Sequence, residues 1–158
     1  MKRNILLVLV LSLFIASSAP AADKVLPAPS SKAKCPVCGM FVAKYNDWIS
    51  SITFRDSSTL FFDGPKDLFK FYLNPGKYGS SKKQGDITSV YVKDYYSLAL
   101  IDGRLAFYVI GSDVLGPMGK ELVPFAKKED AVGFLKDHGG KRVQSFGEIN
   151  PATLKSLE

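Results

Sequence analysis

The chain has 158 residues, 46% hydrophobic and 23% charged, the makeup of an ordinary globular protein. Its length fits one domain, or two small modules sharing a core, with enough apolar material to fold without disulfide staples. The formal net charge is +6, but basic residues cluster only as scattered pairs (Lys82-Lys83, Lys127-Lys128 and Lys141-Arg142), so no nucleic-acid-binding face is expected.

Lys2 and Arg3 precede an apolar run over residues 5–16 that only Ser12 interrupts. The run is shorter than the roughly 20 residues a membrane-spanning helix needs. Ala19 and Ala21 then supply the small residues of a signal peptidase site, so residues 1–21 are predicted to be a signal peptide, cleaved before Ala22. Lys2 and Arg3 account for two of the 21 basic residues; the remainder carries 19 against 15 acidic, a net of +4. The first cysteine, Cys35, follows Lys32-Ala33-Lys34, with lysine where a lipidation site needs an apolar residue at −3 and a small one at −1. A soluble, exported, periplasmic protein is expected, with no stable membrane insertion after cleavage.

Residues 22–34, rich in Pro, Ser, Ala and Lys, read as a disordered linker. The domain is expected over residues 35–149. Residues 48–54 alternate with a period of two and, with residues 59–62, predict a hairpin turning at Asp56-Ser57-Ser58. Asp63 is the expected N-cap of a helix with Pro65 in its first turn and Leu68, Phe69, Phe71 and Tyr72 on its apolar face. Asn74-Pro75-Gly76 ends it, and residues 77–85 read as a polar loop. Strands are expected at residues 87–94, 97–101, 105–110 and 121–125. Residues 111–119, with Asp113, Gly116, Pro117, Met118 and Gly119, read as a loop. A helix follows over residues 127–137, with Ala131, Phe134 and Leu135 inward and Gly139-Gly140 as its stop. A last strand is expected at 143–146. Asn150-Pro151 caps a short C-terminal helix within residues 150–158.

A weak repeat runs through this pattern. Residues 62–76 align with residues 125–139, matching Phe62 to Phe125, Asp67 to Asp130 and Phe71 to Phe134. In each copy a Met beside Gly, Met40 or Met118, lies upstream of the repeated segment.

The chemistry concentrates in Cys35-Pro36-Val37-Cys38-Gly39-Met40, three sulfur side chains in six residues. A structural zinc site commonly wants two such Cys pairs, or one pair and two His, and this chain has one pair and one His, His138. A thiol–disulfide site would place the Cys pair at the start of a long amphipathic helix, whereas strands follow here. A soft-metal site fits the donors best, because thiolate and thioether sulfur select Cu(I). Met40 and Met118 both lie in Gly-rich segments rather than at core positions of a helix or strand. His138, at the end of the second helix, suits a helix C-terminus electrostatically and could also ligate copper. Asp63 and Asp67 read as helix-start residues, and no carboxylate pair stands out for acid–base work.

The Cys35–Met40 motif, Leu60-Phe61-Phe62-Asp63, the segment Gly111-Ser112-Asp113-Val114-Leu115-Gly116-Pro117-Met118-Gly119, Val123-Pro124-Phe125 and His138-Gly139-Gly140 resemble the NosL family of nitrous oxide reductase accessory proteins. The resemblance covers residues 35–149. It implies an α+β fold of two related β-β-α-β modules, similar to alkylmercury lyase, sharing one core. It also implies a periplasmic copper chaperone, not an enzyme. The family's Cys-x-Met element falls on Cys38 and Met40 and its second Met on Met118; from the donor types in this chain, Cys35 or His138 is expected to complete the Cu(I) shell. The implied recipient is a copper enzyme, the copper–sulfur cluster of nitrous oxide reductase, or its ABC-type maturation system. Many members are lipoproteins and some lack a counterpart of Cys35. The alternative reading is a thiol–disulfide oxidoreductase using Cys35 and Cys38.

Overall fold

The computed structural model describes residues 28–158; the expected signal peptide and its cleavage site lie outside the described residues. The period-two segment forms strand β1, Ser50–Phe54, paired antiparallel with β2, Thr59–Phe62. Helix α1, Pro65–Leu73, follows at once, and strand β3, Ile87–Lys93, returns antiparallel along the other side of β1. A short β4, Leu100–Asp102, extends this sheet to the order β2-β1-β3-β4.

The second half repeats the plan. Strand β5, Phe107–Gly116, is flanked by β6, Gly119–Phe125, and by β7, Arg142–Ser145, with helix α2, Lys128–Asp137, between them in sequence. The order is β6-β5-β7, again with the first strand central and all neighbours antiparallel. Phe62 and Phe125 each close a second strand, three residues before a helix begins, and Phe71 and Phe134 occupy the same position in the two helices. All four are buried.

The period of two along β5 and β6 decides how the halves join. Tyr108, Ile110 and Leu122 face one way and enter a large cluster with Ile52, Phe62, Leu68, Phe69 and Phe71 of the first half. Val109, Val123 and Phe125 face the other way and pack on Ala131 and Phe134 of α2 in a smaller cluster. The second sheet is therefore covered on both faces. Helix α1 lies against β1 and β2 of its own half and against β6 of the other.

Several boundaries differ from the sequence expectation. Residues 111–119 are not a loop: β5 runs on to Gly116 and pairs with Gly119 across a turn made by Pro117 and Met118. The ladder breaks between Ile110 and Leu115, where Gly111 adopts φ +79°, so the irregular composition marks a bulged strand. The N-cap of α1 is Gly64, which makes no side-chain cap bond, rather than Asp63. Residues 77–85 include short 3-10 turns at Pro75–Tyr78 and Gln84–Asp86. The end of the expected linker is hydrogen-bonded: Ala33 N–H donates to Ser30 O at 2.9 Å, Ala33 O accepts from Val42 N–H at 3.0 Å, and Lys34 bridges to Phe41. The last helix, α3, Pro151–Lys155, is capped by Asn150 as expected. It packs on α1 and contributes Leu154 to the large cluster.

Candidate metal centre

The two cysteines sit in a closed loop. Cys35 N–H donates to Met40 O at 2.8 Å and Gly39 N–H to Cys35 O at 2.9 Å, and the Lys34–Phe41 bridge ties off the base. Gly39 holds φ +78°, a conformation that costs other residues energy. Backbone N–H groups of Cys38 and Val37 face the Cys35 sulfur, and that of Met40 faces the Cys38 sulfur. Cys35 is 1% exposed and Cys38 half-buried; both are free thiols.

This loop packs onto the start of α1. Cys38 Sγ donates to Asp63 Oδ2 at 3.3 Å and lies 3.4 Å from Oδ1; Cys35 Sγ donates to Asp67 Oδ2 at 3.5 Å. Ligand atoms of all four residues lie within 4.8 Å of one another, so each thiol is within reach of both carboxylates. Asp63 and Asp67 are 0% and 2% exposed. The sequence reading set these two aside as helix-start residues, and the structure corrects it: they are the other half of the cluster. Asp67 lies in the first turn of α1 and Asp63 two residues before the helix begins, and the two carboxylates share one face of that helix start. Cys35 and Cys38, three apart, meet that face. The spacing was visible in the sequence; the docking of loop on helix was not.

Burial pushes both thiols up. Cys38 rises to about 12, chiefly through desolvation and also because Asp67 is close; its bond from the Met40 backbone pulls the other way. Cys35, more deeply buried, rises further for the same leading reason. Burial also raises Asp67, with the Asp63 charge adding to the effect and the cysteine hydrogen bonds opposing it. A reactive redox cysteine needs the opposite, a depressed pKa and exposure.

Met40 ends the loop and is half-buried. Met118 occupies the β5–β6 turn and is 43% exposed. Pro117 presets its own φ for the first turn position, and Gly119 takes the left-handed conformation at φ +81°. This turn is fastened to α1. Lys66 Nζ donates to Met118 O at 2.6 Å and Lys120 O at 2.7 Å, while Lys66 N–H donates to Glu121 Oε1 at 2.5 Å. A Cβ on Gly64 would come within 2.6 Å of Glu121 Oε2, so a larger residue there would have to displace that buried carboxylate. The Met118 turn is thus fixed three residues along the chain from the carboxylate that Cys38 touches.

His138 is engaged elsewhere. It is the C-cap of α2, its ring stacks on Phe134 at 4.2 Å, and its Nδ1 is 2.9 Å from Asp113 Oδ1. The group of close ligand atoms found among the described residues comprises Cys35, Cys38, Asp63 and Asp67, without His138. Among the described residues no helix is long and apolar enough to cross a membrane.

Comparison with known proteins agrees with this architecture. The copper-binding lipoprotein NosL of Stutzerimonas stutzeri is 45% identical over 56 residues, which are 35% of this chain and 29% of that protein. The match thus spans less than a third of that relative's length. The crystal structure of the copper chaperone NosL from Shewanella denitrificans aligns with a TM-score of 0.69 at 30% identity, covering 82% of this chain and 98% of that one. The solution structure of the apo-NosL protein from Achromobacter cycloclastes aligns with a TM-score of 0.49 at 26% identity, over 66% of this chain and 87% of that one. The profile of the NosL family matches residues 27–154, and the chain belongs to that family.

Proposed function

We propose that this protein binds one Cu(I) through the Cys38 thiolate and the thioethers of Met40 and Met118, with Cys35 completing the shell, and delivers it to a copper enzyme after export to the periplasm. The recipient is the copper–sulfur cluster of nitrous oxide reductase, or the ABC-type system that matures it. Two relatives bear the names copper-binding lipoprotein and copper chaperone, and soft sulfur donors suit Cu(I). The observation that carries the reading is the Lys66 bridge, which fastens the Met118 turn to the first turn of α1, three residues from Asp63, the carboxylate that meets Cys38. His138, stacked on Phe134 and paired with Asp113, is left out of the shell.

The division between buried and exposed donors suits a carrier. Cys35 is enclosed, whereas Met118 stands open to solvent, and Leu115 beside it in the hairpin is 64% exposed. An incoming partner ligand can displace the Met118 thioether first and the thiolate last, so the metal never leaves sulfur coordination. The competing reading, thiol–disulfide exchange, runs against the upward shift of both thiols and the enclosure of Cys35.

Titration with Cu(I) against a competing chelator tests the proposal. Cys38→Ser and Met118→Leu are each expected to weaken binding by about 100-fold or more, roughly 2.7 kcal/mol, and His138→Ala to leave it unchanged. Wild-type affinity in Met118→Leu would remove the hairpin from the site. Insulin reduction at oxidoreductase rates, insensitive to Met118→Leu, would favour the enzyme instead.

A further inference from the structure

We infer that the cleft between the end of α1, the turn at Pro75–Tyr78 and α3 binds a small organic anion with two negative groups on an apolar body. The cleft borders the cysteine loop at Val37, shares no ligand with the copper site, and does not depend on the Cu(I) reading.

The cleft has a volume of about 540 Å³, within the roughly 300–1,000 Å³ of small-molecule sites. Three separate elements each bring a lysine to it: Lys70 from α1, Lys77 from the Pro75–Tyr78 turn and Lys155 from α3. Glu158 is the one carboxylate among the lining residues, and Lys70 already pairs with it at 3.6 Å. The other ion pairs among the described residues are Lys82–Asp56 and His138–Asp113. Lys77 and Lys155 therefore bring two ammonium charges that no carboxylate among the described residues pairs. Like charges gathered on one cleft repel, and an anion between them replaces repulsion with attraction.

The walls beneath these charges are apolar. Leu154 is buried, and Val37, Leu73 and Tyr78 are half-buried. The Tyr78 ring is held by stacking on Phe71 at 6.1 Å and 26°. Lys77 Nζ stands 5.7 Å from the centroid of that ring, so one cation is already placed against the wall. Burial, with the nearby charge of Asp67, pushes the Tyr78 phenol up, which keeps it protonated and able to donate. This combination selects the ligand class. An inorganic anion would satisfy the lysines and leave the apolar walls wet. A neutral apolar molecule would leave both ammonium groups unpaired. A dicarboxylate with an aromatic or aliphatic spacer meets both requirements. Val37 joins the cleft to the metal loop: its side chain lines the cleft while its N–H faces the Cys35 sulfur. The occupant therefore rests directly against that loop.

The test titrates the full chain, reduced and free of metal, at low ionic strength, with the rigid dicarboxylate isophthalate and the flexible dicarboxylate adipate. Amide chemical shifts locate the binding and calorimetry measures it. Partly exposed ion pairs each contribute little, so the expected affinity is on the order of 0.1–1 mM. Shifts should saturate and gather at Val37, Leu73, Tyr78 and Leu154. Inorganic phosphate should bind about ten-fold more weakly, the effect of leaving some two CH₂ groups in water. Lys77→Gln and Lys155→Gln, both at exposed positions where folding is not at issue, should each weaken the dicarboxylate by about two- to five-fold. Lys128→Gln, which does not line the cleft, should leave it unchanged. Failure of both dicarboxylates to saturate at millimolar concentration would overturn the proposal. So would phosphate binding as tightly as they do, shifts scattered over the surface lysines, or wild-type affinity in both Lys77→Gln and Lys155→Gln.

Discussion

The two halves share a strand–turn–helix segment, yet among the described residues a cluster of thiols and carboxylates forms at the helix start of only the first. In the first, the start of α1 is buried from Asp63 to Phe69, beneath the cysteine loop on one side and the β5–β6 hairpin on the other. In the second, the start of α2 is open to solvent at Lys127, Lys128 and Glu129. Asp67 and Asp130 align in the repeat, but Asp67 is enclosed beside two thiols while Asp130 is partly exposed. The same local fold therefore holds a donor cluster or an ordinary solvated helix start, depending on what covers it.

The largest expected effect comes from the paired aromatics. Phe62→Ala and Phe125→Ala should each destabilise by about 3–5 kcal/mol, measured by denaturant unfolding. Phe62 should lie at the upper end, because its cluster draws on both halves. Phe125 should lie lower, since its cluster is smaller and its neighbour Tyr96 is largely exposed, which leaves room to relax. The reverse order would show that the second half is the energetic centre.

Next comes the seam between the halves. Glu121 is buried where the hairpin meets α1, and burial pushes its carboxyl up to about 8, against the bonds from Leu122 and Lys66 N–H and the Lys66 charge. An acid raised in the folded state favours its protonated form there. Its contribution to stability is full below the unfolded value of 4.5 and is lost as pH rises towards 8. Glu121→Gln keeps an oxygen for both N–H donors and cannot ionise. It should flatten the decline between pH 4.5 and 8, gaining on the order of 3 kcal/mol over wild type at pH 8. Identical pH profiles for the two proteins would place the ionisable control elsewhere.

The smallest effect concerns caps. The Asn150 side chain accepts from Ala152 and Thr153 N–H at the start of α3, whereas Gly64 and Lys127 make no side-chain cap bond at α1 and α2. Asn150→Ala should cost about 1 kcal/mol, while Lys127→Ala should change little in the same unfolding measurement. A comparable loss from both would mean that Lys127 supports α2 by some route other than a cap.

The local signals proved informative where the chain's own neighbours settle conformation. The alternation through β1 and the Phe–Asp–Phe echo between residues 62–71 and 125–134 were legible in the sequence, as was Asn150 as a cap. Side-chain periodicity and capping act over a few residues, so one sequence displays them. The sulfur-rich segment at Cys35, Cys38 and Met40 was equally plain, because donor type is a property of the residue. Other features depended on partners far along the chain. Asp63 looked like a cap and Asp67 like another helix-start residue, which is what such residues usually are when water covers a helix start. Packing of the cysteine loop removed that water and set both carboxylates against thiols more than twenty residues away. The Gly-rich run before Met118 looked like a loop because a bulge and a tight turn use the same residues; pairing with β6 made it a strand, and Lys66 fixed where it ends. The sequence by itself determined which donors this protein has and which elements carry them. Only the tertiary structure decided which donors meet, because burial and long-range docking set their hydration, and hydration sets what a thiol or a carboxylate can do.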